Sequence, residues 1–157
     1  MNIAREVAQR STCLRRRVGA VIIREDQIIA TGYAGAPRGT PNCMDIGFCA
    51  REAANIPSGE RYELCRSVHA EPNAIINAAR AGVSVLNGTL YLIVENIDRS
   101  LMEEANSCLM CQRWIINAGL KNVIVRQPQG VVEISVLDWI NNDTGRISVP
   151  KTTKNTS

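Results

Sequence analysis

The sequence predicts a layered α/β domain built on a mixed β-sheet. Segments rich in β-branched residues alternate with segments rich in helix formers, an order typical of helices packed on a sheet. The first two strands are separated by only two residues and therefore form an antiparallel hairpin, whereas helices separate later strands. The length of 157 residues fits one domain with a buried core. The five predicted strands are 18–24, 27–33, 89–94, 123–126 and 131–136.

Three helices are predicted around these strands. The first covers residues 2–11 and places apolar side chains one turn apart. The second covers residues 70–81 and carries Pro72 in its first turn, where a missing N–H is tolerated. The third covers residues 108–118 and is closed by Gly119.

Three segments lack a regular pattern. Residues 34–60 are rich in Gly, Pro and Asn and predict a long loop with one short helix near 49–54. A loop of that length in a compact domain is usually functional or held by specific contacts. Residues 95–106 are polar and predict an insertion or β-arm. We expect one domain over 1–140, followed by a polar, frayed tail over 141–157.

Charge and composition narrow the class of protein. The net charge is only +3, from 18 basic and 15 acidic residues, which does not indicate a nucleic-acid partner. The first residues lack the apolar core of a signal peptide, and no apolar run approaches the roughly 18 residues of a membrane span. We therefore expect no membrane partner and a cytoplasmic location. In that compartment, clustered cysteines more often bind metal or catalyse than form disulfides.

Two short motifs carry metal-ligating side chains, and each begins a predicted helix. They are His69-Ala70-Glu71 and Cys108-Leu109-Met110-Cys111. Each motif alone has other interpretations, because Cys-x-x-Cys also occurs in redox pairs and a single His is usually structural. Together they supply three zinc ligands and leave the fourth position to water, as in catalytic zinc sites. Glu71 lies two residues from His69, as in the His-x-Glu signature of zinc nucleobase deaminases.

With these motifs, the chain resembles the cytidine deaminase-like superfamily and, within it, the deoxycytidylate (dCMP) deaminase family. The resemblance extends over about 11–138. Residues 18–21 are similar to the first strand of the family, and 31–37 to its substrate loop. Residues 69–75 and 108–119 are similar to its metal motifs. The resemblance implies a three-layer α/β/α cytidine deaminase-like fold with a mixed five-stranded sheet.

The resemblance also implies an activity and its residues. His69, Cys108 and Cys111 would hold Zn²⁺, and Glu71 would be the catalytic residue. Glu71 would move one proton to N3 of cytosine and another to the departing amine. The implied reaction is hydrolytic deamination of dCMP to dUMP with release of ammonia, which feeds dTMP synthesis.

The family pattern implies further residues at the substrate. The backbone N–H of Ala70 would hold O2 of the pyrimidine, and the carbonyl of Ser107 would accept from the exocyclic amine. The chain departs from the family at two of these places. Ser107 stands where Pro is usual, and Ala34 stands where the family usually has an Asn that holds the sugar. The implied substrate-binding residues are Tyr33, Gly35, Ala70, Asn73 and Ser107.

Four cysteines remain outside the metal motifs, namely Cys13, Cys43, Cys49 and Cys65. One interpretation makes them buried small apolar side chains. The other makes them a second, structural zinc site that holds the long loop in place. Some members of the family carry a second zinc near the positions of Cys13 and Cys43, which favours the second interpretation.

The resemblance also implies a homo-oligomer with dCTP and dTTP as possible regulators. Two alternative functions remain open. The same chemistry could act on another base or nucleoside, such as cytidine, guanine or a modified pyrimidine, because Ala34 changes the sugar contact. A non-catalytic protein that binds zinc or nucleotide is the other alternative. Glu71 argues against it, because a purely structural metal site has no use for that carboxylate.

Overall fold

A five-stranded mixed sheet lies between helices in the computed structural model, which describes residues 1–57 and 59–142. The predicted fold class is confirmed. The strands are β1 (Arg16–Arg24), β2 (Gln27–Tyr33), β3 (Thr89–Asn96), β4 (Asn122–Gln127) and β5 (Gly130–Ser135). The helices are α1 (Asn2–Ala8), α2 (Cys43–Ile46), α3 (Ala50–Ala53), α4 (Ala70–Arg80), α5 (Leu109–Asn117) and α6 (Val136–Asn141), and a single 3₁₀ turn covers Tyr62–Leu64.

The strand order is β2-β1-β3-β4-β5. β3 and β4 are parallel and are joined by α5, whereas the other neighbours are antiparallel. The β1–β2 hairpin turns at Glu25 and Asp26, whose positive φ angles of 51° and 61° are those of the two-residue turns that match the right-handed twist of the flanking strands. The mixed character of the sheet thus follows from connections of different length, as the sequence predicts.

Helices cover both faces of the sheet. On one face, Ala20 and Ile22 of β1 belong to a core that also contains buried residues of α4, α5 and α6. On the other face, Val21 of β1 and Ile93 of β3 pack with buried alanines of α1. Successive strand residues point to opposite faces, so this alternation produces three layers.

Two glycines let helices approach the sheet closely. A side-chain carbon at Gly32 of β2 would overlap the backbone of Ala70 and Ala74 in α4. A side-chain carbon at Gly19 of β1 would overlap the backbone of α1 in the same way. The absence of a side chain at Gly32 therefore fixes the depth at which the first turn of α4 lies on the sheet.

The structure departs from the sequence prediction mainly at short elements. The opening helix ends at Ala8 rather than at Ser11. The sequence prediction missed α2, which begins at a capping box in which the Asn42 N–H donates to Asp45 (2.8 Å). It also missed α6. The predicted tail lies outside the described residues beyond Asn142, so the division into domain and tail stays a prediction.

Candidate metal centre and active site

The two metal motifs occupy equivalent positions at the starts of two adjacent helices. His69 is the N-cap of α4 and Cys108 is the N-cap of α5, and both have the same extended backbone conformation. The two helices contact each other on one face of the sheet. They begin near the edge where β1 starts and β3 ends, because Val18 and Val94 pair there and line the same cavity as His69 and Cys108.

This arrangement brings three donor atoms together. His69 Nδ1 lies 3.5 Å from Cys108 Sγ and 3.3 Å from Cys111 Sγ. All three donor atoms lie within 4.8 Å of one another. A tetrahedral zinc ion about 2.3 Å from sulfur and about 2.0 Å from nitrogen separates such donors by roughly 3.5 Å. The residues therefore fit a zinc ion in both chemistry and spacing.

The same three groups interact strongly in the metal-free structure. Burial lowers the pKa of His69, but the thiols of Cys108 and Cys65 and the charge of Glu71 outweigh it and raise this pKa to about 10. A hydrogen bond with Cys111 lowers the pKa of Cys108 to about 4, and His69 contributes to this shift. The pKa of Cys111 is raised by its hydrogen bond to Cys108. The lowered pKa of Cys108 favours its thiolate, which is the form that binds metal.

Glu71 is the acidic group of this site. It lies in the first turn of α4, and only 4% of its surface is exposed. Burial raises the pKa of this carboxyl, and the neighbouring charge of His69 opposes the rise. A buried carboxyl with a raised pKa next to metal ligands is suited to take up and release a proton.

His69, Cys108 and Glu71 line one cavity of about 470 Å³, whereas the third donor, Cys111, is fully buried. Ligand pockets of about 300–1,000 Å³ hold small organic molecules such as nucleotides. Helix starts, strand ends and the long loop all contribute to its wall. Besides His69, Glu71 and Cys108, its lining includes Val18, Ala34, Arg51, Tyr62, Val94, Met102, Ala105, Ser107 and Gln112.

Of the predicted substrate residues, Ser107 lies in the wall of the cavity. Its carbonyl accepts a hydrogen bond from Gln112 Nε2 (2.9 Å), and its buried Oγ has no partner among the described residues. Asn73 instead supports the neighbouring backbone, because its Nδ2 donates to the Tyr33 carbonyl (2.8 Å). Gly35 pairs with Val68 through two backbone hydrogen bonds.

The other predicted substrate residues lie next to the cavity rather than in its wall. Within the part of the chain that the structure describes, Tyr33, Gly35, Ala70 and Asn73 are not in its lining. Ala70 is fully buried as the first residue of α4. Their hydrogen bonds tie the loop after β2 to the start of α4. Their predicted roles at the substrate stay predictions.

The four remaining cysteines line the same cavity as the metal centre, and all six cysteines are free thiols. Cys43 is buried, which raises the pKa of its thiol, and its Sγ lies 3.8 Å from Ser67 Oγ. Among residues 1–57 and 59–142, only His69, Cys108 and Cys111 form a tight group of three or more donors. The second metal site therefore stays a prediction.

Sequence reasoning missed two aromatic and cationic neighbours of the metal centre. Tyr62 contacts the His69 ring, and the buried Arg51 contacts Tyr62. Arg51 lies in an Ala-Arg-Glu-Ala run that resembles an ordinary exposed helix, so the sequence gives no signal of its burial. Two further arginines of the neighbouring segments, Arg38 and Arg61, are not in the described lining of the cavity.

Comparisons with known proteins agree with this geometry. Residues 1–127 match the profile of the cytidine and deoxycytidylate deaminase zinc-binding region. A deoxycytidylate deaminase of Schizosaccharomyces pombe is 37% identical over 124 residues, which cover 79% of this chain and 34% of that protein. A deoxycytidylate deaminase of Mycobacterium phage D29 is 32% identical over 129 residues, which cover 79% of this chain and 88% of that protein.

A solved structure is similar as well. The dCMP deaminase of cyanophage S-TIM5, crystallised with dCMP and dUMP, is 26% identical and has a TM-score of 0.59. The match covers 80% of this chain and 76% of that chain. This chain spans only about a third of the length of its yeast relative. On the profile match and the helix-borne donor set together, the chain belongs to the cytidine and deoxycytidylate deaminase family.

Proposed function

We propose that this chain catalyses the zinc-dependent hydrolytic deamination of a cytosine nucleotide, converting dCMP and water to dUMP and ammonia. The observation that carries the proposal is a tight group of three metal donors at a nucleotide-sized cavity, which two of the donors and the buried carboxylate of Glu71 line. The relatives named deoxycytidylate deaminase and the neighbour crystallised with dCMP and dUMP support the choice of substrate.

In this proposal, His69, Cys108 and Cys111 hold the zinc ion. When bound, zinc lowers the pKa of a water molecule and so supplies the nucleophile for C4 of cytosine. The chain's own contribution to the chemistry is proton transfer by Glu71. Its carboxylate accepts one proton from the water and passes it to N3, and it then accepts the remaining hydroxyl proton at C4 and passes that proton to the departing amine. The C4–N bond breaks, a C4–O bond remains, and ammonia leaves.

The substrate is oriented by groups at the helix starts and in the loop. In the proposal, the backbone N–H of Ala70 binds O2 of the pyrimidine, because the first N–H groups of a helix have no partner within the helix. The Ser107 carbonyl has a second lone pair besides the one used by Gln112, and it accepts from the exocyclic amine. In the proposal, the sugar is faced by Tyr33 and Gly35, on either side of the end of β2, and by Asn73 of α4, which donates to the Tyr33 carbonyl.

Four further features belong to the proposal. Cys13, Cys43, Cys49 and Cys65 bind a second, structural zinc, which is supported by their shared position around one cavity. The protein is a homo-oligomer regulated by dCTP and dTTP, and it acts in the cytoplasm. Residues 1–140 form the catalytic domain.

No helix within residues 1–57 and 59–142 is both long and apolar enough to cross a membrane.

The test is ammonia release by the zinc-loaded protein with dCMP, CMP, dCTP, deoxycytidine, cytosine and guanine. We expect turnover of dCMP and a loss of about 10²–10⁴-fold in kcat for Glu71→Gln, which keeps the side-chain size but cannot transfer the proton. Zinc content of the variant should equal that of the wild type. Turnover of another substrate alone would replace dCMP and keep the mechanism. No turnover with zinc bound, or full turnover by Glu71→Gln, would contradict the proposal.

A further inference from the structure

A stack of three side chains leads from the long loop to the metal ligand His69. The guanidinium carbon of Arg51 lies 4.4 Å from the centre of the Tyr62 ring. The Tyr62 ring meets the His69 ring edge to face, with ring centres 4.9 Å apart and an interplanar angle of 88°. Both distances are those of favourable cation–π and aromatic contacts.

Arg51 is an unusual residue to find at the base of this stack, because only 5% of its surface is exposed. Its Nη2 donates to the carbonyls of Pro57 (2.6 Å) and Glu60 (2.5 Å). None of the ion pairs within the described part of the chain includes Arg51. Its buried charge is therefore balanced by two backbone carbonyls and the face of one ring.

These contacts fix the segment that carries Tyr62. The two carbonyls that Arg51 holds come shortly before the 3₁₀ turn Tyr62–Leu64, so the arginine joins the end of the loop to α3. The planar guanidinium of Arg51 lies over the face of the Tyr62 ring and supports it. Tyr62 itself lies in this short turn rather than in a strand of the sheet, and its ring contacts Arg51 and His69.

The orientation of the His69 ring decides whether Nδ1 reaches the two thiols. His69 is the N-cap of α4, so its backbone is fixed, but its imidazole can still rotate about the side-chain bonds. Metal-binding histidines are normally oriented by a neighbouring group, and loss of that group typically weakens metal binding. The ring of Tyr62 is in contact with the imidazole and is placed to restrict its rotation.

We propose that Arg51 and Tyr62 are positioning residues for the metal ligand His69. Arg51 holds the loop and the Tyr62 ring, and Tyr62 holds the imidazole so that Nδ1 points at Cys108 and Cys111. Neither residue takes part in the proton transfers. The inference rests on the proposed function only in taking His69 as a zinc ligand.

The experiment measures metal binding directly. Zinc-loaded full-length protein is mixed with a chromogenic chelator to follow zinc release, and the visible spectrum of the Co²⁺-loaded protein reports the ligand geometry. We expect Tyr62→Leu to weaken zinc binding by about 10–100-fold and to change the Co²⁺ spectrum. Tyr62→Phe keeps the ring and should resemble the wild type. Arg51→Lys should act in the same direction as Tyr62→Leu, because an ammonium group cannot replace the planar fork.

Two further variants separate the possible explanations. Arg61→Lys changes an exposed arginine beside Tyr62 that pairs with Glu63, and it should leave zinc release unchanged. His69→Ala tests the metal site itself and should lower the zinc content by one ion per chain: if the zinc content stays that of the wild type, the proposed function fails. If His69→Ala loses zinc but Tyr62→Leu releases zinc like the wild type, only the positioning role is wrong.

A double variant tests whether the two residues act through one path. Arg51→Lys combined with Tyr62→Leu should weaken zinc binding no more than the stronger single change, because both remove the same support. Additive effects would contradict a shared path. If Arg51→Lys does not fold, the half-buried Tyr62 still decides the proposal through the comparison of Tyr62→Leu with Tyr62→Phe.

Discussion

The candidate site has two walls of different construction. The helix wall consists of the starts of α4 and α5 with His69, Glu71, Cys108 and Cys111. The loop wall consists of residues 34–67, which carry three of the remaining cysteines. In the helix wall, three donors lie within 4.8 Å of one another. In the described part of the loop wall, the cysteines approach the same cavity without forming such a group.

The difference arises from what holds each wall. The helix wall is held by backbone packing, because Gly32 of β2 lets the first turn of α4 lie directly on the sheet. The loop wall is held by individual polar contacts. Thr12 Oγ1 donates to Asn42 Oδ1 (2.9 Å), and Arg66 Nε donates to the Pro41 carbonyl (2.7 Å). Packing fixes a donor within a few tenths of an ångström, whereas a loop held by separate contacts needs a further bond, such as one to metal, for equal precision.

The sharpest way to break this comparison is to remove one cysteine from each wall. Cys111→Ser should abolish deamination, because it takes a ligand from the catalytic zinc. Cys43→Ser should retain most of the activity, because it lies in the loop wall. Ammonia release from dCMP measures both variants under the same conditions. Equal loss of activity in the two variants would contradict a functional division between the walls.

The zinc content of the same two variants tests the difference between the walls more finely. If the loop wall binds the proposed second ion, the wild type holds about two zinc ions per chain. Cys43→Ser should then hold about one and remain active, whereas Cys111→Ser should hold about one and be inactive. Elemental analysis of dialysed protein gives the counts. One zinc in the wild type would show that the loop cysteines are free thiols.

Replacing a glycine that allows close backbone packing should have a smaller effect than replacing a metal-binding cysteine. Gly32→Ala should lower the free energy of unfolding by about 1–3 kcal/mol and reduce activity, because the added methyl displaces the start of α4. The methyl group added by Gly39→Ala in the loop wall meets no atom within 4 Å. Its only cost is the backbone strain of an alanine at a φ of +80°, which lowers the free energy of unfolding by roughly 1 kcal/mol. Urea unfolding compares the stability of the two variants, and deamination kinetics compare their activity. An active Gly32→Ala protein would show that the helix wall tolerates displacement.

The smallest effect concerns the sugar. Ala34 lies in the cavity wall where the family usually has Asn, so Ala34→Asn should add one hydrogen bond to a sugar hydroxyl. We expect a gain of about fivefold in kcat/KM for dCMP, the equivalent of about 1 kcal/mol. Ala36→Asn, outside the described lining of the cavity, is the matched control. A loss of activity in Ala34→Asn would indicate that the present substrate needs the space.

The sequence predicted the helix wall much better than the loop wall. β2 runs from Gln27 to Tyr33 as expected, and α4 starts at Ala70 and ends at Arg80 instead of residue 81. These elements carry strong periodicity and clear end signals, and they place His69 and Cys108 at helix starts. The spacing of the two motifs along those helices was enough to predict the converging donors.

The loop wall could not be predicted in the same way. The short helix predicted near 49–54 corresponds to α3, but α2 was missed because its four residues are too few for a periodic pattern. The Asn42–Asp45 capping signal was present in the sequence, but four residues among Gly and Pro do not stand out as a helix. The burial of Arg51 depends on the carbonyls of Pro57 and Glu60, which no local pattern announces. α6 was missed because it follows β5 without an intervening loop.

The separation of the donors along the chain has a thermodynamic consequence. His69 and Cys111 are 42 residues apart, and the intervening segment contains all of α4 and β3. A zinc ion bound by both therefore cross-links two distant parts of the chain, and it favours the folded state over the unfolded one. At a free zinc concentration a thousand times the dissociation constant, such binding adds about 4 kcal/mol to stability. A rise in the melting temperature of the protein on addition of zinc would consequently report occupancy of the site at His69, Cys108 and Cys111 without any substrate being present.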